Sequence, residues 1–360
     1  MQRRIYMACP MGPVGGGMAR VVDGLIDASR SAAGASAAPL VALDTRGQGS
    51  AAGSLVVLLG AMRVLIAARK NVAGVHIHLA ERLSLLRKGA LMLLCRALGM
   101  PTIVHLHAAQ FAPFYRQLPA PARWLTRRVL QLPACLIVLG QRASQFMTDE
   151  VGVPAQRVRI VPNGVPAPRI ARQRDAAIRR VLFVGNLSER KGVSDLLQAL
   201  CLPGWDRTRT QVLFAGGGDV EGYRAKALAM GLDPWLQWTG WLAPQQMAQR
   251  MAQADVLVLP SYDEGLPLVI LEAMAQGVAV VCTPVGEIAH FITDEQEALF
   301  VPPGDCQALA RQIQRVLTDD ALRSRLETAG RQLYASRFSM DRFSTEIARL
   351  HRQHFDLRPR

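Results

Sequence analysis

The residues best suited to chemistry are two glutamates, Glu264 and Glu272, with seven residues between them. Between them, Gly265, Leu266 and Pro267 mark the start of a helix, because proline fits the first helical position. The free N–H groups of a helix start favour an anion, and carboxylates accept hydrogen bonds from sugar hydroxyls. The spacing therefore permits a diphosphate at the helix start, a hexose at Glu264 and a ribose at Glu272.

Two elements must hold these residues in place. The apolar run 254–259 predicts a buried parallel strand, and the helix formers of residues 268–276 predict a helix after it. Glu272 then lies about 7.5 Å along the helix axis from Pro267, at 1.5 Å per residue. Its neighbours are apolar, so we expect a buried carboxylate, which is costly unless it is paired or hydrogen-bonded. A ligand hydroxyl is one such partner, and a structural ion pair is the alternative.

Two adjacent cations, Arg190 and Lys191, follow another candidate strand, residues 181–184. Arginine offers a planar fork of donors and lysine a point charge, and together they suit a diphosphate whose charge grows as a glycosidic bond breaks. Charges that serve only the start of a helix are the alternative.

A run of three glycines, Gly15, Gly16 and Gly17, follows the first candidate strand, residues 5–8. Glycines after a strand let the backbone approach a ligand closely. The run does not have the spacing of a dinucleotide-binding fingerprint, so a phosphate or sugar contact and a flexible turn both remain open.

Histidines lie on two neighbouring candidate strands. In the strand 102–106, alternation places His105 and His107 on one face, with His107 at the carboxyl end, where ligands of parallel sheets gather. His76 and His78 on the preceding strand could pack beside them. Zinc binding by the four histidines is a weaker option, because no cysteine or carboxylate completes the set.

The pattern of Glu264 and Glu272 resembles the E-x7-E signature of retaining glycosyltransferases of the GT-B fold, in particular glycosyltransferase family 4. The likeness covers most of the chain, because several other segments match the family: residues 15–17, His107, and residues 162–164, 190–192 and 301–305. Three residues depart from it. Asn186 stands where the family usually has arginine, and Glu287 and His290 replace expected residues in a donor loop.

The resemblance implies an α/β protein of the GT-B type: two Rossmann-like, doubly wound parallel-sheet domains facing a cleft, with C-terminal helices that cross back to the first domain. It implies catalytic roles near the transferred sugar for His107 and Glu264. It also implies a donor-binding set, formed by Gly16, Gly17, Arg190, Lys191, Gly265, Leu266, Pro267 and Glu272.

The length and composition agree with two domains. At 360 residues, half of them hydrophobic, the chain exceeds what one core usually supports, and nine strand-like runs alternate with helix-length segments. The proline-rich residues 161–168 are the best linker candidate. We therefore expect an acceptor-binding domain over residues 1–168, a donor-binding domain over 169–337, and a C-terminal helix over 338–360 that packs on the first domain.

Charge is distributed unevenly. Residues 1–170 hold 20 Lys and Arg against 6 Asp and Glu, whereas residues 171–360 hold 22 of each. Basic segments interrupted by apolar and aromatic residues, such as the one with Arg123, Arg127 and Arg128, favour an anionic membrane surface or a polyanionic acceptor. Nucleic acid is disfavoured because no nucleic-acid-binding module is recognisable, and simple solubilisation of the domain is the alternative.

No cofactor is expected, since the nucleotide-sugar is a substrate. The six cysteines lie far apart without a C-x-x-C pair, and no Asp-x-Asp metal motif occurs, so we expect a reduced chain with no metal. We find no leader pattern, and the longest apolar stretches end at Arg63 and Arg96. The expected location is the cytoplasm, peripheral to the inner face of the cell membrane.

The resulting hypothesis is a metal-independent, retaining hexosyltransferase that uses a nucleotide-sugar donor and a saccharide or lipid-linked acceptor, in bacterial lipopolysaccharide or exopolysaccharide synthesis. Two other functions remain open. One is a GT-B-fold sugar-nucleotide epimerase or hydrolase, which would share the donor site. The other is a non-catalytic, membrane-associated protein that binds sugar nucleotides.

Overall fold

The structure is a computed structural model that describes residues 3–12, 16–30, 38–232 and 235–357. The chain forms two compact units, one of Met1–Val165 with Met340–Arg360 and the other of Pro166–Ser339. The boundaries expected from the sequence, after residues 168 and 337, lie two or three residues from these.

The sheet of the first unit has six parallel strands. They are β1 (Arg4–Cys9), β2 (Leu40–Asp44), β3 (Val72–Leu79), β4 (Thr102–Leu106), β5 (Cys135–Val138) and β6 (Val158–Ile160), in the spatial order β2-β1-β3-β4-β5-β6. Every residue of the central strand β3 is buried, as expected for a parallel strand covered on both faces. Strand β6 was not predicted from the sequence, because its three residues at the sheet edge grade from buried to exposed and form no apolar run.

Helices join these strands. They are α1 (Gly16–Ala28), α2 (Ala51–Ala68), α3 (Leu83–Ala97), α4 (Phe111–Gln117), α5 (Ala120–Leu130) and α6 (Gln141–Gln145). The connection through α1 runs from β1 outward to β2, whereas those through α2, α3 and α5 run in the opposite direction along the sheet. Because parallel crossovers are right-handed, α2, α3 and α5 cover one face and α1 covers the other. The unit is therefore doubly wound.

The second unit repeats this plan. Its strands are β7 (Arg179–Val184), β8 (Thr210–Ala215), β9 (Leu236–Gly240), β10 (Val256–Leu259), β11 (Ala279–Cys282) and β12 (Leu299–Phe300), in the order β12-β11-β10-β7-β8-β9. Its helices are α7 (Val193–Cys201), α8 (Val220–Ala229), α9 (Pro244–Gln253), α10 (Leu268–Gln276), α11 (Ile288–Phe291), α12 (Cys306–Thr318) and α13 (Asp320–Leu333). The two parallel sheets confirm the predicted α/β class. Two strands, β9 and β12, were not predicted.

In the second unit the strand order reverses between β7 and β10, which are neighbours in the sheet. Such a switch point opens a crevice at the carboxyl ends of the two strands, where ligands of doubly wound sheets bind. The segments after β7 and β10 carry the residues of the second unit that were predicted to bind the donor. The fold thus places these two segments on opposite sides of one crevice.

The last helix, α14 (Met340–His354), belongs to the first unit. It packs against α1, and the ring of Phe355 fills the space beside Gly74 of β3. The N–H of Met340 donates to the carbonyl of Val165 at 3.0 Å, so the chain enters and leaves the second unit at adjacent points. The chain therefore returns to complete the core of its first unit.

Candidate functional site

The loop after β10 carries the first glutamate. β10 is fully buried, and the loop leads to Glu264, which is also buried, before α10 begins at Leu268. Pro267 has an extended backbone and is the N-cap of α10, so the prediction of proline at the first helical position is wrong by one residue. The backbone of Pro267 still directs the chain into the helix, since its φ of −71° lies near the value that the ring imposes.

Glu272 is half-buried, which corrects the expectation of a fully buried carboxylate. The other residues of α10 are buried except Leu268, one turn earlier. Residues four apart share a helix face, so Leu268 and Glu272 form one narrow open stripe along an otherwise buried helix. The apolar neighbours seen in the sequence cover the other faces of α10, and they leave this carboxylate partly open to a ligand.

The turn after β7 carries the two cations. Residues Glu189–Lys191 form a 3₁₀ turn that ends at Gly192, whose φ is +69°. A Cβ at Gly192 would lie 2.0 Å from the carbonyl oxygen of Pro260, so only glycine allows this close approach. Gly192 thus allows the turn to pack against the carboxyl end of β10.

Direct contacts join the two segments. Lys191 Nζ donates to Glu264 Oε1 at 2.5 Å, and Ser261 Oγ donates to the same oxygen at 2.7 Å. Arg190 donates from Nη1 to the carbonyl of Asp263 at 2.9 Å, and its own carbonyl accepts from the N–H of Tyr262 at 2.9 Å. Lys191 and Glu264 are mostly buried, whereas Arg190 is exposed. The structure therefore brings three predicted residues, Arg190, Lys191 and Glu264, into one cluster.

A third loop, after β11, packs on the first. Gly286 has a φ of +62°, and a Cβ there would lie 1.8 Å from the carbonyl oxygen of Glu264. The N–H of Glu287 donates to the carbonyl of Gly265 at 3.0 Å, and the Glu287 side chain is buried. Glu287, one of the departures from the family pattern, thus belongs to the loop that shapes the backbone around Glu264.

A glycine run that was not predicted to be functional follows β8: Gly216, Gly217 and Gly218. The N–H of Leu187 donates to the carbonyl of Gly217 at 2.7 Å, and a Cβ at Gly216 would lie 1.8 Å from the carbonyl oxygen of Gly185. The run therefore lets the loop with Asn186, which is exposed, pack closely beside it. Three consecutive glycines after an apolar strand were the available signal.

In the first unit, His107 follows β4. The residue is half-buried, and its Nε2 lies 2.8 Å from Nδ1 of His78 in a hydrogen bond whose direction depends on the tautomers. Burial lowers the pKa of His107 to about 3, so the ring is neutral near neutral pH. Gly16 and Gly17 begin α1 and are exposed, whereas Gly15 lies outside the described residues.

Fully buried histidines lie behind His107. His76, His78 and His105 have ring nitrogens within 4.8 Å of one another, and among the described residues they form the group that could hold a metal ion. Burial lowers the pKa of each ring, which favours the neutral form. The group includes no carboxylate or thiolate to offset the charge of a buried dication, and the absence of a metal stays a prediction.

The predicted membrane-facing arginines lie on α5. Arg123, Arg127 and Arg128 are all exposed, and the guanidinium of Arg128 lies 5.5 Å from the ring centroid of Trp124. Arg127 also donates to the carbonyl of Glu150 at 2.8 Å. The three arginines thus belong to the first unit, together with Gly16, Gly17 and His107, whereas the other candidate residues belong to the second.

Two protein-family models match the chain. The model described as glycosyl transferases group 1 matches residues 172–333, and the glycosyl transferase 4-like domain matches residues 16–164. The chain is similar to alpha-D-kanosaminyltransferase of Streptomyces kanamyceticus, with 26% identity over 72% of each chain. It is also similar to the lipopolysaccharide core biosynthesis glycosyltransferase LpsE of Rhizobium meliloti, with 32% identity over 45% of this chain and 46% of that protein. The match to LpsE thus spans less than half the length of that relative.

Solved structures share the fold. Sucrose-phosphate synthase from Thermosynechococcus elongatus superposes with a TM-score of 0.78 at 21% identity, over 98% of this chain and 99% of that chain. HepE from Anabaena, crystallised with UDP, gives 0.74 at 17% identity, over 98% of this chain and 100% of that chain. Since the two family models cover the two units in turn and the whole chain shares this architecture, the protein belongs to the group 1 glycosyltransferases of the GT-B fold.

Proposed function

We propose that the protein transfers a hexose from a nucleotide-sugar to a saccharide or lipid-linked saccharide acceptor, with retention of anomeric configuration, in the synthesis of a bacterial surface polysaccharide. The observation that carries this proposal is the cluster of Arg190, Lys191 and Glu264 at the switch point of the second unit. The complex of HepE with UDP and the pathway named for LpsE support the same substrate class and pathway.

The donor would be held by groups of three kinds. The diphosphate would lie at the start of α10, where the first turn has free N–H groups, and beside Arg190, which uses one guanidinium nitrogen on Asp263 and keeps others for phosphate. Glu272, half-open on α10, would accept from the ribose hydroxyls. Both hydrogen bonds to Glu264 use Oε1, which leaves Oε2 for a hydroxyl of the hexose.

The proposed chemical step is the one that the resemblance to the retaining family implies. The bond between the anomeric carbon and the diphosphate oxygen breaks, and Arg190, Lys191 and the helix start stabilise the negative charge that the diphosphate gains. The acceptor oxygen attacks from the same face, and its proton passes to the leaving phosphate. Lys191 and Ser261 hold Glu264 by hydrogen bonds, a geometry that suits orientation of the sugar better than nucleophilic attack. Charge stabilisation by these groups requires no metal.

The first unit would bind the acceptor. His107, at the carboxyl end of β4 and neutral, can exchange a hydrogen bond with a sugar hydroxyl. Gly16 and Gly17, at the start of α1, belong to the donor-binding set that the resemblance implies, and as glycines they would let the backbone approach a ligand closely. The excess of 14 positive charges in residues 1–170 favours a location on the anionic inner face of the cell membrane, with Arg123, Arg127 and Arg128 towards the lipid. The protein would then be cytoplasmic and peripheral.

The test is incubation of the full chain with a panel of labelled nucleotide-sugars, with and without lipid extracts, followed by mass spectrometry of the lipids. We expect label in a lipid or saccharide product only when both substrates are present, and proton NMR of that product should show the anomeric configuration of the donor. Rapid nucleotide release without acceptor would support a hydrolase or epimerase instead. Donor binding without transfer to any acceptor would support a non-catalytic protein.

A further inference from the structure

Exposed apolar side chains are concentrated on three neighbouring helices of the first unit. Among the described residues, fourteen large hydrophobic side chains are exposed, and ten of them belong to α2, α3 or α5. The ten are Leu55, Val56, Leu59, Val64, Ile66, Leu83, Leu86, Leu93, Trp124 and Leu125. Since α3 packs beside both α2 and α5, they contribute to one continuous surface. A contiguous patch of this kind marks an interaction site.

Helix α2 differs most from an ordinary surface helix. Its inner stripe, with Ser54, Leu58 and Leu65, is buried, but its outer face is also apolar, and Val56 is 70% exposed. Arg63 is its only charged residue. A helix that is packed on a sheet normally presents polar residues to water, so the outer face of α2 requires another explanation.

The charged side chains of the three helices have one sign. Helices α2, α3 and α5 contain no aspartate or glutamate, and the exposed cations on them are Arg63, Arg96, Arg123, Arg127 and Arg128. Trp124, 59% exposed, lies beside Arg128. Apolar side chains within a basic border match the interface of an anionic leaflet, where apolar groups enter the acyl boundary and cations meet phosphates.

Residues 52–71 form the one helix of the described chain that could cross a membrane by length and composition. The fold is not compatible with a span. The strands on either side of α2, β2 and β3, both pair with β1 in the same sheet, and the inner stripe of α2 is part of that core. A helix held in this way can only lie in the plane of the interface.

We propose that the outer face of α2, with the adjoining faces of α3 and α5, inserts into the headgroup and acyl boundary of an anionic lipid leaflet. This deepens the membrane location given under the proposed function, because it assigns the contact to apolar insertion by α2 as well as to the arginines of α5. Binding then has two components: one that salt screens, from the cations, and one that salt leaves intact, from the apolar side chains.

The test is flotation of the full chain with vesicles of phosphatidylglycerol and phosphatidylcholine, or of phosphatidylcholine alone, at low and high salt. We expect binding to the mixed vesicles that weakens at high salt but persists. Replacing Arg123, Arg127 and Arg128 by glutamine should remove the salt-sensitive part. Val56→Glu with Leu59→Glu should lower binding about tenfold or more and abolish the part that persists.

The matched control is Leu228→Glu, because Leu228 is 64% exposed on α8 of the second unit and lies outside the patch. It should bind vesicles like the wild type, and circular dichroism should confirm that all variants fold. Brominated lipids should quench Trp124 fluorescence, measured as the difference between the wild type and Trp124→Phe.

Two results would overturn the proposal. One is equal vesicle binding by the wild type and the Val56→Glu and Leu59→Glu double variant. The other is a dimer without lipid, seen by analytical ultracentrifugation and dissociated by the same substitutions, which would assign the patch to a second copy of the chain. Vesicle binding needs no donor, so either result leaves the glycosyltransferase proposal to its own test.

Discussion

Replacing Lys191 by methionine tests the central contact of the donor site. The substitution keeps the length of the side chain and removes its charge. Glu264 would then keep only the hydroxyl of Ser261 as a partner in a position where 8% of its side chain is exposed. Removing one member of a buried ion pair costs about 3–5 kcal/mol, and the partial exposure of Lys191 favours the lower end.

We therefore expect the free energy of unfolding of the second unit to fall by about 3 kcal/mol. For a unit of about 170 residues, this corresponds to a decrease in Tm of about 6–12 °C. The double variant Lys191→Met with Glu264→Gln removes both charges and keeps an acceptor for Ser261. It should recover to within about 1 kcal/mol of the wild type, so it should be about 2 kcal/mol more stable than Lys191→Met.

The assay is urea unfolding followed by tryptophan fluorescence, because four of the five tryptophans, all except Trp124, lie in the second unit. The control is Arg190→Met, at the exposed residue next to Lys191, which should lower the free energy of unfolding by about 1 kcal/mol or less. If Lys191→Met costs no more than this control, and the double variant is no more stable than Lys191→Met, the contact does not stabilise the unit as the geometry indicates.

Three further predictions concern donor binding, catalysis and pH. Glu272→Gln should weaken nucleotide binding by about 1–3 kcal/mol in calorimetry, through loss of a charged hydrogen bond. The control Glu221→Gln, at an exposed position of α8, should bind like the wild type, and equal affinities of Glu272→Gln and the wild type would contradict the ribose assignment. Arg190→Ala should lower turnover about a hundredfold by loss of charge stabilisation, and near-normal turnover would exclude this role. Burial lowers the pKa of His107 and His351 to about 3, so both take up protons on unfolding below pH 6.5, and stability falls as pH decreases. These two residues alone should lower the free energy of unfolding of the first unit by about 3 kcal/mol between pH 6.5 and 5, which hydrogen exchange can measure. A free energy of unfolding that stays constant over this pH range would refute the linkage.

The sequence by itself determined the fold class and the segments that form the donor site. Buried parallel strands are continuous apolar runs, so nine of the twelve strands were predicted, including β4 at its observed bounds. The strands that escaped detection, β6, β9 and β12, lie at or near sheet edges, where partial exposure breaks the apolar pattern. The E-x7-E spacing and the adjacent cations identified their segments because helix starts and charge pairs are local features.

Tertiary structure alone decided which of these segments meet. Lys191 and Glu264 are 73 residues apart, and their contact depends on the reversal of strand order between β7 and β10 and on the glycine that lets the turn at Gly192 approach Pro260. Local sequence carries no information on strand order. The half-open position of Glu272 was likewise decided by packing, since apolar neighbours in sequence do not show which face of a helix remains open.

The surface of α2, α3 and α5 that we propose to bind a membrane shows the same division between sequence and tertiary structure. Composition gave the charge excess of residues 1–170, but not the exposed outer face of α2. A helix that is apolar all round is usually buried, so the residue types of α2 do not show which of its faces is exposed. Only the fold shows that one stripe packs on the sheet and that the other has no protein to cover it within the described residues. Whether a residue is buried depends on which other elements pack against it, and only the tertiary structure decides this.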